Sequence, residues 1–277
     1  MLLRLGHSPD PDDAFMFYAL AKGLVDSEGL EFEHVLQDIE SLNRRAENAE
    51  LEITALSVHA YAHLHDRYIL LPHGASMGDG YGPLLVSRRP MRVEDLPDAH
   101  VAVPGLRTSA FLAARLAIGY FAHTVVPFDE IMDYVNAGEA DAGLLIHEGQ
   151  LTYAGHELNK VLDLGEWWSD ETGGLPLPLG VNAVRRDLPE DVLHRITRVL
   201  GRSIGYALQN RAPAVEHSLQ WGRGLDHELA DRFIGMYVNA LTEDLGERGR
   251  AGILEFLRRG HEAGLVPGPI PVEFTTP

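Results

Sequence analysis

Residues 142–153 read AGLLIHEGQLTY: an apolar run, Gly143–Ile146, ends in His147 and then Glu148. An imidazole with an unperturbed pKa near ~6.5 can accept a proton at neutral pH without large tuning. His147 is therefore the candidate general base. The plainer alternative is a half-buried ring bonded to a carbonyl. Glu148, one residue on, falls on the opposite face if strand geometry persists and reads as solvated. Three more junctions carry groups that can hold a small anion. GHSPDPDDAF (6–15) offers Ser8 and Asp10 as caps, with Asp12 in the same turn, ALSVHAY (55–61) ends a strand on Ser57, and VPGLRTSAF (103–111) offers Thr108 or Ser109. Each alone reads as ordinary helix capping. Four on one side of parallel sheets imply a cleft where hydroxyls and free backbone N–H groups meet a carboxylate.

Other chemistries find little support. The chain has no cysteine, which excludes disulfides, thiolate metal sites and cysteine nucleophiles. The acids Asp10, Asp12 and Asp13 lack the glycine and distant glutamate of a calcium loop and suit a helix start. His59 and His63 lie one helical turn apart, without a third ligand or a His-Glu-x-x-His pattern. The glycine-rich stretch HGASMGDGYG (73–82) is neither a Walker loop nor a dinucleotide fingerprint and reads as a flexible connection. Trp167 and Trp168 read first as core packing, with a pocket wall as the alternative. The formal net charge of −18 is spread along the 277 residues and opposes nucleic acid and anionic membrane surfaces. No apolar run approaches the ~18 residues of a membrane span, and the N-terminus carries no signal-peptide pattern, so a cytoplasmic protein is expected. The oligomeric state, including a homodimer, stays open.

The elements that must position these residues alternate. Strands are expected at Leu2–Gly6, Leu30–Leu36, within LEITALS, YILLP, PLLVSRR, HVAVP, TVVPF and ADAGLLI, and at KVLDL and LGVNAVRR. Helices are expected over about 12–22, 39–48 with Asp38 as N-cap, 109–118 and 129–136. After Pro189 the pattern turns helical: a long helix capped by Asp187, then stretches near 213–221, 227–239 and 247–263, with the glycines after Trp221 as a break. Such alternation predicts an α/β fold of parallel-rich sheets covered by helices. The strands are too many for one small sheet. Two lobes are expected, residues 1–97 with 185–277 and an inserted 98–184, with a ligand cleft between them.

Taken together, SPDPDDAFMFYAL, DIESLNRRA, ALSVHAYA, GPLLV, VAVPGLRTSAF, AGLLIHEGQLTY, LDLGEWW, TGGLPLPLG and YVNALTEDLGE occur in the order seen in 1,4-dihydroxy-6-naphthoate synthases of the futalosine route to menaquinone. The chain resembles that family from about Leu2 to Val266. The resemblance implies a two-lobed fold of the type II periplasmic-binding-protein kind. It also implies conversion of cyclic dehypoxanthine futalosine to 1,4-dihydroxy-6-naphthoate, with loss of a sugar-derived fragment and no metal or organic cofactor. On it, His147 matches the base, Ser57 a substrate-contacting serine preceded by Ala55 and Leu56, and Ser109 and Ala110 the cap after VPG. Asp38 and Asn43 match polar positions lining the family's cleft. With Ser8, Asp12 and Thr108 they form the expected substrate-binding set for a small carboxylate. One departure stands out. The family's first junction usually reads Ser-Pro-Cys-Pro-Asn-Asp-Thr-Phe; here Asp10, Asp12 and Ala14 replace Cys, Asn and Thr, and an acid for a neutral amide opposes an anionic ligand. The rival readings are a small-anion binding protein and a chorismate dehydratase of related architecture.

Overall fold

The computed structural model describes residues 1–221 and 226–277; the break expected at Gly222 and Gly224 lies outside the described residues. The described strands, in chain order, are β1 (Leu2–His7), β2 (Glu31–Leu36), β3 (Ile53–Ser57), β4 (Tyr68–Leu70), β5 (Ser76–Gly78), β6 (Leu84–Ser87), β7 (His100–Val103), β8 (Ala122–Val125), β9 (Ala142–Leu145), β10 (Asn159–Asp163) and β11 (Leu177–Arg185). They form two sheets, ordered β2-β1-β3-β11-β4, with β5 also on β11, and β10-β6-β9-β7-β8.

Within each sheet three strands run parallel: β2, β1 and β3 in one, β8, β7 and β9 in the other. Parallel neighbours need crossovers, and helices supply them. Ile39–Ala46 joins β2 to β3, Ser109–Ile118 joins β7 to β8, and Ile131–Ala137 joins β8 to β9. β6 and β11 run antiparallel to their neighbours.

Sheet membership moves the expected lobe boundary. β6 pairs with β9 and β10, so Leu84–Ser87 belongs to the second sheet rather than to the first lobe. The chain crosses between β5 and β6 and returns between β10 and β11. The residues that suggested a crossing near 98 form a 3₁₀ helix, Val93–Asp98, already inside the second lobe. At the crossings the two chain segments touch: Leu164 N–H donates to the Pro83 carbonyl at 3.0 Å. A Cβ on Gly165 would lie 1.9 Å from the Tyr81 carbonyl, so only glycine fits there.

The helix Glu190–Gln209 covers the first sheet, burying Val192, Ile196, Val199, Leu200 and Ile204 on one face. Its N-cap is Pro189, not Asp187, whose carboxylate is instead held by Arg185 at 2.6 Å. The glycine-rich stretch 73–82 is not a loose connection, since it contains β5. Trp168 is a core residue: its indole N–H donates to the Pro176 carbonyl at 3.1 Å and its ring meets Phe256 edge-on.

Candidate active site

A cavity of about 740 Å³, counting its mouth, lies between the lobes. It gathers residues from just beyond the carboxyl ends of β1, β3, β7 and β9, where open parallel sheets collect ligands. Ser8, Asp12, Ala55, Ser57, Thr108, Ser109, Ala110 and His147 all line it.

His147 stands two residues beyond the end of β9, with its backbone in the left-handed region at φ +55°. That turn ends the strand alternation before Glu148. Phe128 packs against the imidazole edge-on at 4.8 Å. Nδ1 lies 3.1 Å from Asp10 Oδ2, and Asp10 is almost wholly buried. Ser8 Oγ also donates to that Asp10 oxygen. Nε2 is shielded from solvent and finds no hydrogen-bond partner among the described residues. An Nδ1–H bonded to a carboxylate leaves the lone pair on Nε2, the tautomer a general base needs.

The other two acids of the first loop behave differently from surface carboxylates. Burial, reinforced by Asp13 and Asp10, pushes Asp12 up to about 8. Burial likewise raises Asp13 to about 7, opposed by the hydrogen bond from the Ser8 backbone N–H at 2.6 Å. The expected repulsion of an anion by Asp12 is therefore weakened, because much of its population stays protonated near neutrality.

Two hydroxyl-bearing walls, one from each lobe, line the cavity and meet where the His59 N–H donates to Ser109 Oγ at 3.3 Å. On the first lobe, Asn43 Nδ2 donates to Ser57 Oγ at 3.1 Å, and Asn43 Oδ1 accepts from the Ser57 N–H at 3.0 Å. With a lone pair so occupied, the Ser57 hydroxyl can turn its proton toward a ligand. On the second lobe, Thr108 caps Ser109–Ile118 by accepting from the Phe111 N–H at 3.1 Å. The first-turn N–H groups of Ser109 and Ala110 have no partner within the helix and border the cavity.

Three expected contacts are not in the cavity wall. Leu56 is fully buried in the core, since alternation along β3 turns it away from the face that carries Ala55 and Ser57. Asp38 spends its carboxylate on the Ser41 N–H and hydroxyl, at 3.0 and 2.6 Å. Asn43 stands behind Ser57, bonded to both its hydroxyl and its backbone N–H.

The sequence reading missed Asp10 as the histidine's partner, along with Gln150, Asn182 and Tyr237. With its side-chain amide oriented to satisfy both ends, Gln150 donates to the Tyr237 hydroxyl at 2.5 Å and to the Gly82 carbonyl at 2.6 Å, joining the lobes, and burial raises the Tyr237 phenol above the ordinary range. Asn182 donates to the Gly74 carbonyl at 3.0 Å, while its Oδ1 has no hydrogen-bond partner among the described residues. Gly74 sits at φ +77°, where a Cβ would strike the Asn182 amide. One signal was legible: Asn182 is the lone amide in the run LGVNAV.

His59 and His63 are engaged with other partners. Their rings are 5.6 Å apart, His63 Nε2 is bonded to Arg107 at 2.8 Å, and His59 Nδ1 faces the Thr108 carbonyl at 3.3 Å. Among the described residues no group of three or more His, Cys, Asp or Glu is arranged to hold a metal, and no helix is long and apolar enough to cross a membrane.

Known proteins share this architecture. A sequence model of the family described as menaquinone biosynthesis matches residues 3–262. A 1,4-dihydroxy-6-naphthoate synthase of Thermus thermophilus is 41% identical over 271 residues, covering 98% of each chain. A crystal structure of a protein from Archaeoglobus fulgidus superposes with a TM-score of 0.92 at 48% identity, over 96% of this chain and 98% of that one. A Candida albicans protein described as having the generic periplasmic binding protein fold superposes at 0.69 with 15% identity, over 100% and 98%, a likeness of fold alone. The chain thus has the two-lobed periplasmic-binding-protein fold and belongs to the menaquinone biosynthesis family.

Proposed function

We propose that this chain is an enzyme that converts cyclic dehypoxanthine futalosine to 1,4-dihydroxy-6-naphthoate, acting as a carbon–carbon lyase in the cytoplasm with His147 as general base. The observation that carries the reading is the imidazole in the interlobe cavity, with Nδ1 engaged by Asp10 and Nε2 unengaged among the described residues. The relatedness to a naphthoate synthase over nearly the full length supports the substrate.

In this mechanism Ser57 from one lobe and the first turn of Ser109–Ile118 from the other bind the substrate's polar groups and orient it. His147 Nε2 removes a proton from the bound ring system. The electron pair so released breaks a bond to the sugar-derived fragment, which takes the proton back from Nε2 as it leaves, and aromatisation of the remaining ring drives the reaction forward. Closing the lobes excludes water from this sequence.

The test is incubation of the purified protein with cyclic dehypoxanthine futalosine and detection of the naphthoate by mass spectrometry, with chorismate as the control substrate. Naphthoate formation is expected and turnover of chorismate is not; the opposite result replaces the assignment by the dehydratase. His147→Ala is expected to lower kcat by about 10²- to 10⁴-fold, the usual range for a general base, with a smaller change in substrate affinity. Wild-type turnover in that variant removes the base from the mechanism.

A further inference from the structure

We propose that Asp10 is the positioning residue of His147 and that it acts from the opposite lobe, so the base is held in its working tautomer only while the lobes are together. The inference rests on the reading of His147 as the base.

Asp10 lies in the loop between β1 and the helix Pro11–Met16, on the first lobe. His147 follows β9, on the second. The 3.1 Å contact between them therefore spans the cleft. Both ends are fixed. Asp10 is buried, Ser8 Oγ bonds the same carboxylate oxygen, and the Asp10 backbone N–H donates back to Ser8 Oγ at 3.2 Å. On the other side, the left-handed backbone of His147 is a conformation that a non-glycine residue holds only when its surroundings impose it. Phe128 on the same lobe restricts the ring.

An acceptor facing Nδ1 selects the Nδ1–H form and steadies the imidazolium after proton transfer; in serine proteases an aspartate does this for the catalytic histidine, and replacing it by asparagine lowers kcat by about 10⁴ through the wrong tautomer. Separation of the lobes breaks the contact and leaves the ring free to reorient. Proton abstraction is thereby confined to the closed state.

The test is Asp10→Asn in full-length protein labelled with ¹⁵N-histidine. The His147 ring signals are assigned by their loss in His147→Ala. In the wild type the Nδ1–H tautomer is expected to dominate. In Asp10→Asn a substantial Nε2–H population is expected, with kcat about 10²-fold lower or more and KM raised by no more than about 10-fold, the cost of one interlobe bond. If Asp10→Asn does not fold, as judged by its thermal melt, Asp10→Ser takes its place with the same expectation. An unchanged tautomer or a wild-type kcat in the folded variant overturns the role of Asp10. Full activity in His147→Ala instead removes the base reading, so the two failures are distinguishable.

Discussion

A carboxylic acid that keeps its proton near neutrality can donate a hydrogen bond where an ionised one only accepts. Asp12 meets that condition because burial beside two other acids disfavours its charge. The consequence for stability has a definite sign. The folded state holds this proton up to about pH 8, while the unfolded chain releases it near the ordinary carboxylate value of about 4. Stability from Asp12 is therefore full below about pH 4 and falls as pH rises toward 8. Asp12→Asn, isosteric and unable to ionise, is expected to flatten the decline in Tm between pH 5 and 8, leaving the part due to Asp13; a series of thermal melts measures it. At this scale the sequence was informative about residue types and less so about partners. His147, Ser57 and Thr108 were legible because a strand end or a helix start exposes them locally. Asp10 as the partner of His147 was not, since 136 intervening residues separate them and only the meeting of the lobes brings them together.

Strand order follows from alternation and crossover helices, and both are written in the sequence as hydrophobic period and caps. The segment Ser109–Ile118 with Thr108 before it is found where its capping pattern placed it. The lobe boundary was not legible in the same way, because the affiliation of β6 depends on which distant strands accept it. PLLVSRR reads as a strand in either sheet, and pairing with β9 and β10 decides. The crossings themselves depend on glycine. At Gly165 an added methyl group collides with the Tyr81 backbone, which cannot swing aside as a flexible side chain can. Gly165→Ala is expected to lower unfolding free energy by about 1–3 kcal/mol, the range for overpacked interiors. Urea titration followed by circular dichroism measures the loss, and an unchanged midpoint contradicts the steric account.

Across the whole molecule, the lobes are joined by hydrogen bonds at the cavity as well as by covalent crossings. Gln150 to Tyr237, Ser109 Oγ to the Leu179 carbonyl at 2.6 Å, and Asp10 to His147 all bridge them. Removing one such bond costs about 0.5–1.5 kcal/mol of the closed form. Tyr237→Phe is therefore expected to raise KM about 2- to 10-fold, by reducing the population competent to bind, while kcat changes little. Steady-state kinetics, with small-angle scattering of the ligand-free protein, checks both parts; a fall in kcat at constant KM contradicts a role in closure alone. The placement of β11 has a consequence of another kind. It sits between β3 and β4 although the whole second sheet precedes it in the chain. During translation, β4 and β5 emerge before the strand they pair with, β11: residues 177–180 serve β5 and residues 183–185 serve β4. Residues 84–163, by contrast, already contain every strand of their own sheet. Assembly on the nascent chain thus favours the inserted lobe first, and the lobe bearing the N-terminus is completed around it.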